Sequence, residues 1–352
     1  MTFQISSKIN IRQASRFDRV RWASYLDSIS EVSFYHDYRW SDVIKKSFGL
    51  RAFYLMATEG EKVMGVLPLV FMKSWFFKPC LISLPFLNYG GILADHKEVA
   101  EALLSEAQKI QKHLKTAYIE MRYLQKPNLN LVAREYKVTM ILDLEKTVDE
   151  QWAKLDKKIR NQVRKAEKSD LTTRQGKGEL LDAFYKVFCR NMRDLGTPVL
   201  GKHFFENILQ AFLDESRIYV VYLKDKAIAA AFTLRHHDIV EIPWASSIRD
   251  YDKLCPNMLL YWEVIKSAIA SGGRQFDFGR CTKDSSTHHF KKQWHAKEHQ
   301  LYWTYCGNNE ADIPIATPEK SSLNIIVSLW QRLPLLVSNR LGPQLAKCIP
   351  NF

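Results

Sequence analysis

A chain of 352 residues is too long for one ordinary domain. Its 46% hydrophobic and 25% charged content is that of a globular protein, and no stretch approaches the ~20 apolar residues that a spanning helix needs. The net charge of +13 favours an anionic partner (a phosphorylated cofactor, RNA or an acidic membrane surface), while six scattered cysteines, none at metal-ligand spacing, fit a reducing cytosol better than a disulfide framework.

Residues 1–12 carry no apolar signal core. Residues 51–58 and 63–71 are apolar runs joined by the charged turn Glu59-Gly-Glu-Lys62, which reads as a hairpin. A further strand is predicted over 81–87, running into Leu84-Pro-Phe-Leu-Asn-Tyr-Gly-Gly91. Two glycines there permit a sharp turn or close approach to a ligand. A helix over 98–114 and strands over 117–121 and 138–144 complete the first half.

After Thr147-Val-Asp-Glu150 a charged helix begins. Trp152, Leu155, Ile159 and Val163 recur at helical spacing, and 154–168 holds seven basic and two acidic residues. One face is buried and the rest is a cationic stripe, either simply solvated or able to receive phosphates.

The second half repeats the first. Residues 217–223 and 227–234 form a hairpin around Lys224-Asp-Lys226, followed by a strand over 239–245, a helix over 257–271 and a strand over 275–278. The matching order of five elements reads as a duplicated α/β unit. The predicted fold is α/β (α+β): a first domain at 1–150, a second at 151–309, and a tail at 310–352. Pro314, Pro318, Pro334, Pro343 and Pro350 interrupt this tail, and Leu323, Ile326, Val327, Trp330 and Leu333 form an amphipathic stripe suited to core packing or to a membrane surface.

Chemistry is expected in the second half. In Gln275-Phe-Asp-Phe-Gly-Arg280 the apolar residues alternate with polar ones, so Asp277 and Arg280 sit in or just after a half-buried strand. Asn257 suits an N-cap, and a helix start with its free N–H groups can hold a phosphate. Arg249, Tyr251, Lys253, Asn257 and Met258 are therefore the candidate donor-binding residues, although no P-loop or dinucleotide glycine fingerprint occurs. Lys291 and Lys292 are flanked by Phe290 and Trp294, so one of the two can be held in place to stabilise an oxyanion, and Asp284, His288 or His289 are the candidates to accept a proton from an attacking amine. The pairs His288-His289 and His236-His237 have no third ligand at a clear spacing, so no metal is expected.

Together, Tyr35-His-Asp-Tyr-Arg-Trp40, Pro85-Phe-Leu-Asn-Tyr-Gly-Gly91, Leu155-Asp-Lys-Lys-Ile-Arg-Asn-Gln-Val-Arg-Lys165, Pro256-Asn-Met-Leu-Leu-Tyr-Trp262, Phe276-Asp-Phe-Gly-Arg280 and Phe290-Lys-Lys-Gln-Trp294 resemble the FemAB-like branch of the acyl-CoA N-acyltransferase (GNAT) superfamily. Trp330-Gln-Arg-Leu-Pro334 and Leu341-Gly-Pro343 look like the subgroup linked to exosortase (PEP-CTERM) and exopolysaccharide systems. The resemblance implies two tandem GNAT-like domains, each a mixed sheet flanked by helices. It implies no permanently bound cofactor. The donor would be acyl-CoA or aminoacyl-tRNA, and the acceptor an amine of a cell-envelope precursor or exopolysaccharide sugar.

Lys291 matches the family's phenylalanine-lysine motif, whose lysine stabilises the transferring acyl group. The acceptor is expected near Tyr35, Trp40, Asn88, Tyr89, Gly90 and Trp244, with Asp277 and Arg280 beside it. Two departures stiffen the loop: Ser286 and His295 stand where relatives usually carry glycine. No long helical arm of the kind some tRNA-using synthetases insert is evident in 154–213. The expected location is cytoplasmic, with peripheral contact at the inner membrane face. Two rival readings are a peptidoglycan bridge synthetase using aminoacyl-tRNA and a non-catalytic scaffold that binds membrane or RNA. Oligomeric state is not legible.

Overall fold

The structure, a computed structural model, describes residues 9–29, 32–74, 77–307, 312–313 and 321–349, with the backbone alone over 321–325. Residues 1–8 of the N-terminal segment, and Pro314, Pro318, Pro350 and the Leu323 side chain of the tail, lie outside the described set. The chain forms two compact units, 1–135 with 301–316 and 348–352, and 136–300 with 317–347.

Among the described residues, the first unit's sheet runs Asn10–Gln13, Arg51–Glu59, Lys62–Met72, Cys80–Ile82, Tyr118–Tyr123, Tyr302–Gly307, Val132–Arg134, with Leu93–Ala94 beside Lys62–Met72. The second runs Leu171–Gly176, Ser216–Leu223, Lys226–His236, Ile239–Ser247, Gln275–Thr282, Lys137–Asp143, Lys297–Gln300. Every neighbouring pair in each order is antiparallel except the fourth and fifth strands, which are parallel in both. The two sheets thus share one topology, as the duplicated pattern implies.

The sixth strand of each sheet is exchanged along the chain. Lys137–Asp143, which its position in the sequence put at the end of the first domain, pairs with Gln275–Thr282 of the second sheet, Phe276 opposite Leu142. Tyr302–Gly307 pairs with Tyr118–Tyr123 of the first. An apolar strand fits any sheet with a free edge of matching pattern, so nothing local marks the exchange.

In the first unit, helix Lys97–Leu114 lays Val99, Leu103 and Ala107 on Leu67, Ile119 and Met121. The strand expected over 81–87 ends at Ile82, and residues 83–92 form a buried loop instead.

In the second unit, helices Lys157–Glu167 and Pro256–Ala270 cover one sheet face through Ile159, Val163, Leu260, Val264 and Ala268. The charged helix read as continuous breaks in two at Leu155, whose backbone is extended (ψ 142°) between Val148–Lys154 and Lys157–Glu167. Helices Leu181–Asp194 and Lys202–Ala211 add Phe184, Phe188 and Phe205: Phe184 and Phe205 pack on Phe232, Phe205 also on Trp244, and Phe188 on Phe184 and Phe205. The tail also folds as helices, Ser321–Gln331 and Leu335–Ala346.

Candidate active site

The central feature of the second unit is an interrupted ladder. Ile239–Ser247 and Gln275–Thr282 are parallel partners only at Ile239/Gln275, Val240/Phe276 and Glu241/Asp277. Beyond that point residues 242–247 and 278–282 have no register with each other. Two irregularities help part them. The ladder to Lys226–His236 shifts at Phe232/Leu234, where Pro243 offers no N–H. The ladder to Lys137–Asp143 shifts between Asp277 and Arg280, where Gly279 takes φ +72°, a left-handed conformation that suits glycine. Asp277 fixes this bulge: its carboxylate accepts from Thr139 Oγ1 at 2.6 Å and from the Gly279 N–H at 2.8 Å.

Lys291 completes the bulge. It belongs to helix Ser286–Lys292, capped by the Ser285 hydroxyl accepting from the His288 N–H. The residue is only 4% exposed, and its ammonium donates to the carbonyl oxygens of Gly279 (2.6 Å) and Arg280 (2.9 Å). An ammonium has three protons, so one N–H is left over from these two bonds. Burial pushes the Lys291 pKa below the ordinary lysine value, while Cys281, Asp277 and Glu241 pull it upward.

Between the parted strands the chain runs through the short turn Arg249–Leu254 into helix Pro256–Ala270. Cys255, left-handed at φ +57°, is the N-cap, which corrects the expectation for Asn257. Pro256 occupies the first helical position and has no N–H, and Met258 N already bonds Cys255 O. Asn257 therefore supplies the first backbone N–H of this helix. Arg249 and Lys253 are exposed in the turn, and Tyr251 is half-buried with Lys226 Nζ 5.1 Å from its ring centre. Met258 is corrected from donor contact to core: it is buried, and its sulfur lies 4.0 Å from Gln293 Nε2.

His288 cannot serve as the expected proton acceptor in this arrangement. Its Nδ1 accepts from the Asp284 backbone N–H at 3.3 Å, and its Nε2 faces a Glu298 carboxylate oxygen at 2.8 Å. The Lys283 ammonium, and then His288, hold Glu298 below its ordinary range, and its carboxylate accepts from the His288 Nε2–H. Asp284 is exposed with φ +61°, and His289 Nδ1 is tied to Ser285 O. His295 has φ +64°, so the loop keeps the conformation glycine favours although histidine occupies it.

The aromatic acceptor candidates are corrected too. Tyr35 and Trp40 are fully buried and packed on Phe34. Asn88, Tyr89 and Gly90 lie in the buried loop of the first unit. Trp244 packs among Phe204, Phe205 and Phe232. Aromatic residues serve cores and binding faces alike, and here they serve cores. Of the expected acceptor residues, Trp244 and Arg280 lie on the parted stretches themselves, and Asp277 at the last pair before them.

The first unit shows why only one sheet offers this feature. Its equivalent strands, Cys80–Ile82 and Tyr118–Tyr123, also lose register after three pairs. There the loop fills the edge: Ser83 N donates to Glu120 O, Gly91 N to Arg122 O, and Arg122 Nη1 to Leu87 O. Arg122 forms a fully buried ion pair with Glu120 at 2.7 Å and lies over the Trp303 ring. Sequence reasoning missed this plug, although Glu120 and Arg122, two charges in an apolar strand, were its available signal.

Residues 153–292 match the family model described as the acetyltransferase (GNAT) domain. The matched segment lies within the second unit. No curated protein sequence matches the chain significantly. Among solved structures, FemX superposes with a TM-score of 0.60 at 16% identity, covering 84% of this chain and 96% of FemX. A tandem GNAT protein from the clavulanic acid biosynthesis pathway gives 0.57 at 8% identity, covering 88% and 100%. L-PGS from Bacillus licheniformis gives 0.54 at 11%, covering 92% and 98%. At such identities the likeness is one of fold, and both sheets of this chain are GNAT-type. The matched GNAT segment spans the parted strands, the helix start and Lys291.

Proposed function

We propose that the chain is a FemAB-like acyltransferase that moves an acyl or aminoacyl group onto an amine of a cell-envelope or exopolysaccharide precursor. The observation that carries this reading is the parted pair Ile239–Ser247 and Gln275–Thr282, with helix Pro256–Ala270 starting between them. A thioester or ester carbonyl laid there would lie beside stretches of strand that share no ladder with each other. Donor phosphates would lie against the Asn257 N–H, with Arg249 and Lys253 nearby in sequence.

The third N–H of Lys291 would stabilise the oxyanion formed when the amine attacks. Collapse of that tetrahedral species expels the thiolate or the ribose oxygen and leaves an amide. The acceptor amine must arrive neutral. The base that takes its proton is not His288, whose nitrogens are engaged.

Acyl-CoA and aminoacyl-tRNA, offered separately with an amino-sugar acceptor, test the reading. An amide product detected by mass spectrometry with either donor supports it. No product with either, across a panel of amines, refutes it. Rising salt separates the donors, since tRNA binding falls steeply with salt and CoA binding weakly.

A further inference from the structure

The C-terminal helices turn the wrong side inward. Helix Leu335–Ala346 packs on Leu181–Asp194 through its small residues: Ser338, Gly342 and Ala346 are buried. A Cβ on Gly342 would come within 2.9 Å of Val199. Three of its large apolar residues point away, with Leu336 86%, Leu341 47% and Val337 40% exposed, while Leu335 and Leu345 are half-buried. The preceding helix, Ser321–Gln331, also lies on Leu181–Asp194. Val327 meets Gly196 and Trp330 is buried, while Ile326 and Leu329 are each 60% exposed. These contacts are fixed by polar bonds as well: Gln331 Nε2 donates to Asp194 O, and Arg193 Nη1 donates to Gln331 O and Leu333 O.

An ordinary amphipathic helix buries its leucines and shows its small or polar residues. Here five large aliphatic side chains on two docked helices face outward, more than a surface scatters by chance. The charge on the segment itself has one sign. From residue 321 to 352 the sequence has no acidic residue, and Arg332, Arg340 and Lys347 are its charges. Arg332 and Arg340 are exposed on the same two-helix segment, and Arg340 lies one turn from Leu336 and Val337 on its helix face. Asp194, whose carbonyl accepts from Gln331 Nε2, is ion-paired to Arg190 and Arg193.

We infer that this two-helix face docks on an anionic lipid bilayer, with Ile326, Leu329, Leu336, Val337 and Leu341 in the interface and Arg332 and Arg340 on lipid headgroups. Aliphatic side chains bordered by arginine, without acids, suit such a surface. A second copy of this chain would instead have to bring arginines against arginines. No helix among the described residues is long and apolar enough to cross a membrane, so the contact is peripheral. The inference stands independently of the acyl-transfer reading.

Sedimentation with vesicles tests it, using phosphatidylcholine alone and an equal mixture with phosphatidylglycerol. The full chain is expected to sediment with the mixture, less so as salt rises, and weakly with phosphatidylcholine. Arg332→Gln and Arg340→Gln should each weaken binding on the order of fivefold. The triple change Leu336→Ser, Val337→Ser, Leu341→Ser should weaken it more than about tenfold while leaving the melting temperature unchanged. No binding to anionic vesicles, or binding that the triple change leaves intact, overturns the inference. A concentration-dependent dimer that the triple change dissolves, without vesicle binding, overturns it in favour of a contact between copies.

Discussion

Replacing Lys291 separates a structural strut from a chemical one. Lys291→Met removes two charge-assisted bonds and leaves the carbonyls of Gly279 and Arg280 without this donor. Each carbonyl so abandoned costs about 1–3 kcal/mol. Release of a buried ammonium returns part of that, so the net loss is about 2–4 kcal/mol. Turnover should fall about 10²–10³-fold, the usual effect of losing one oxyanion donor.

Lower stability alone would also depress activity, so the decisive readout is pH. Burial lowers the Lys291 pKa, so the folded protein loses this proton before pH reaches the ordinary 10.5. Turnover with whichever donor works should therefore fall on an alkaline limb centred below that value. Over the same interval the unfolded chain holds the extra proton, so this group's contribution to stability rises with pH. Lys291→Arg keeps a cation that does not titrate in this range, and its alkaline limb should disappear even where kcat is reduced. Wild-type turnover in Lys291→Met with both donors would refute the assignment. So would an alkaline limb in Lys291→Arg identical to that of the unaltered protein.

Three further outcomes follow from the geometry. His295→Gly relieves a left-handed histidine and should raise stability by roughly 0.5–1 kcal/mol in denaturant melts, since the exposed contact with Asp156 at 3.4 Å contributes little. Glu120→Gln leaves the fully buried Arg122 guanidinium without its counter-charge and should cost about 3–5 kcal/mol, lowering the melting temperature with no change in the pH profile of turnover. Asp18 is held well below the usual carboxylate range by the Arg12 guanidinium, so its contribution is present above the ordinary value of 3.8 and lost as pH falls through the depressed one. Asp18→Asn should cost about 1–2 kcal/mol at neutral pH, discounted because Arg12 is partly exposed, and should flatten the acid side of a stability–pH curve.

The hairpins and the long helices were legible because their periods are local: Phe53, Leu55 and Ala57 alternate onto one core face, and Val99, Leu103 and Ala107 recur at helical spacing. The strand exchange was not, because Lys137–Asp143 carries the same alternation whichever sheet receives it. At the candidate site, Asp277 and Lys291 could be singled out from a polar residue inside an aromatic strand and a lysine between aromatics. Their joint hold on the Gly279 bulge depends on residues 14 apart in sequence meeting across a turn, which no pattern encodes. The immobilisation of His288 depends likewise on Glu298, from a strand after the helix. Tyr35 and Trp40 misled because burial of an aromatic cluster is decided by what packs over it. In the tail the stripe was read correctly for Val327 and Trp330, while Ile326 pointed outward because Gly196 and Val199 admit the helices by other faces.

The account rests on where the donor lies. A crystal structure with a non-hydrolysable analogue of the working donor measures that directly. The acyl carbonyl should lie between residues 242–247 and 278–282, within hydrogen-bond reach of Lys291 Nζ, and a phosphate should meet the Asn257 N–H. A donor bound to the first unit's sheet, or one whose carbonyl lies out of reach of both parted strands, would contradict it.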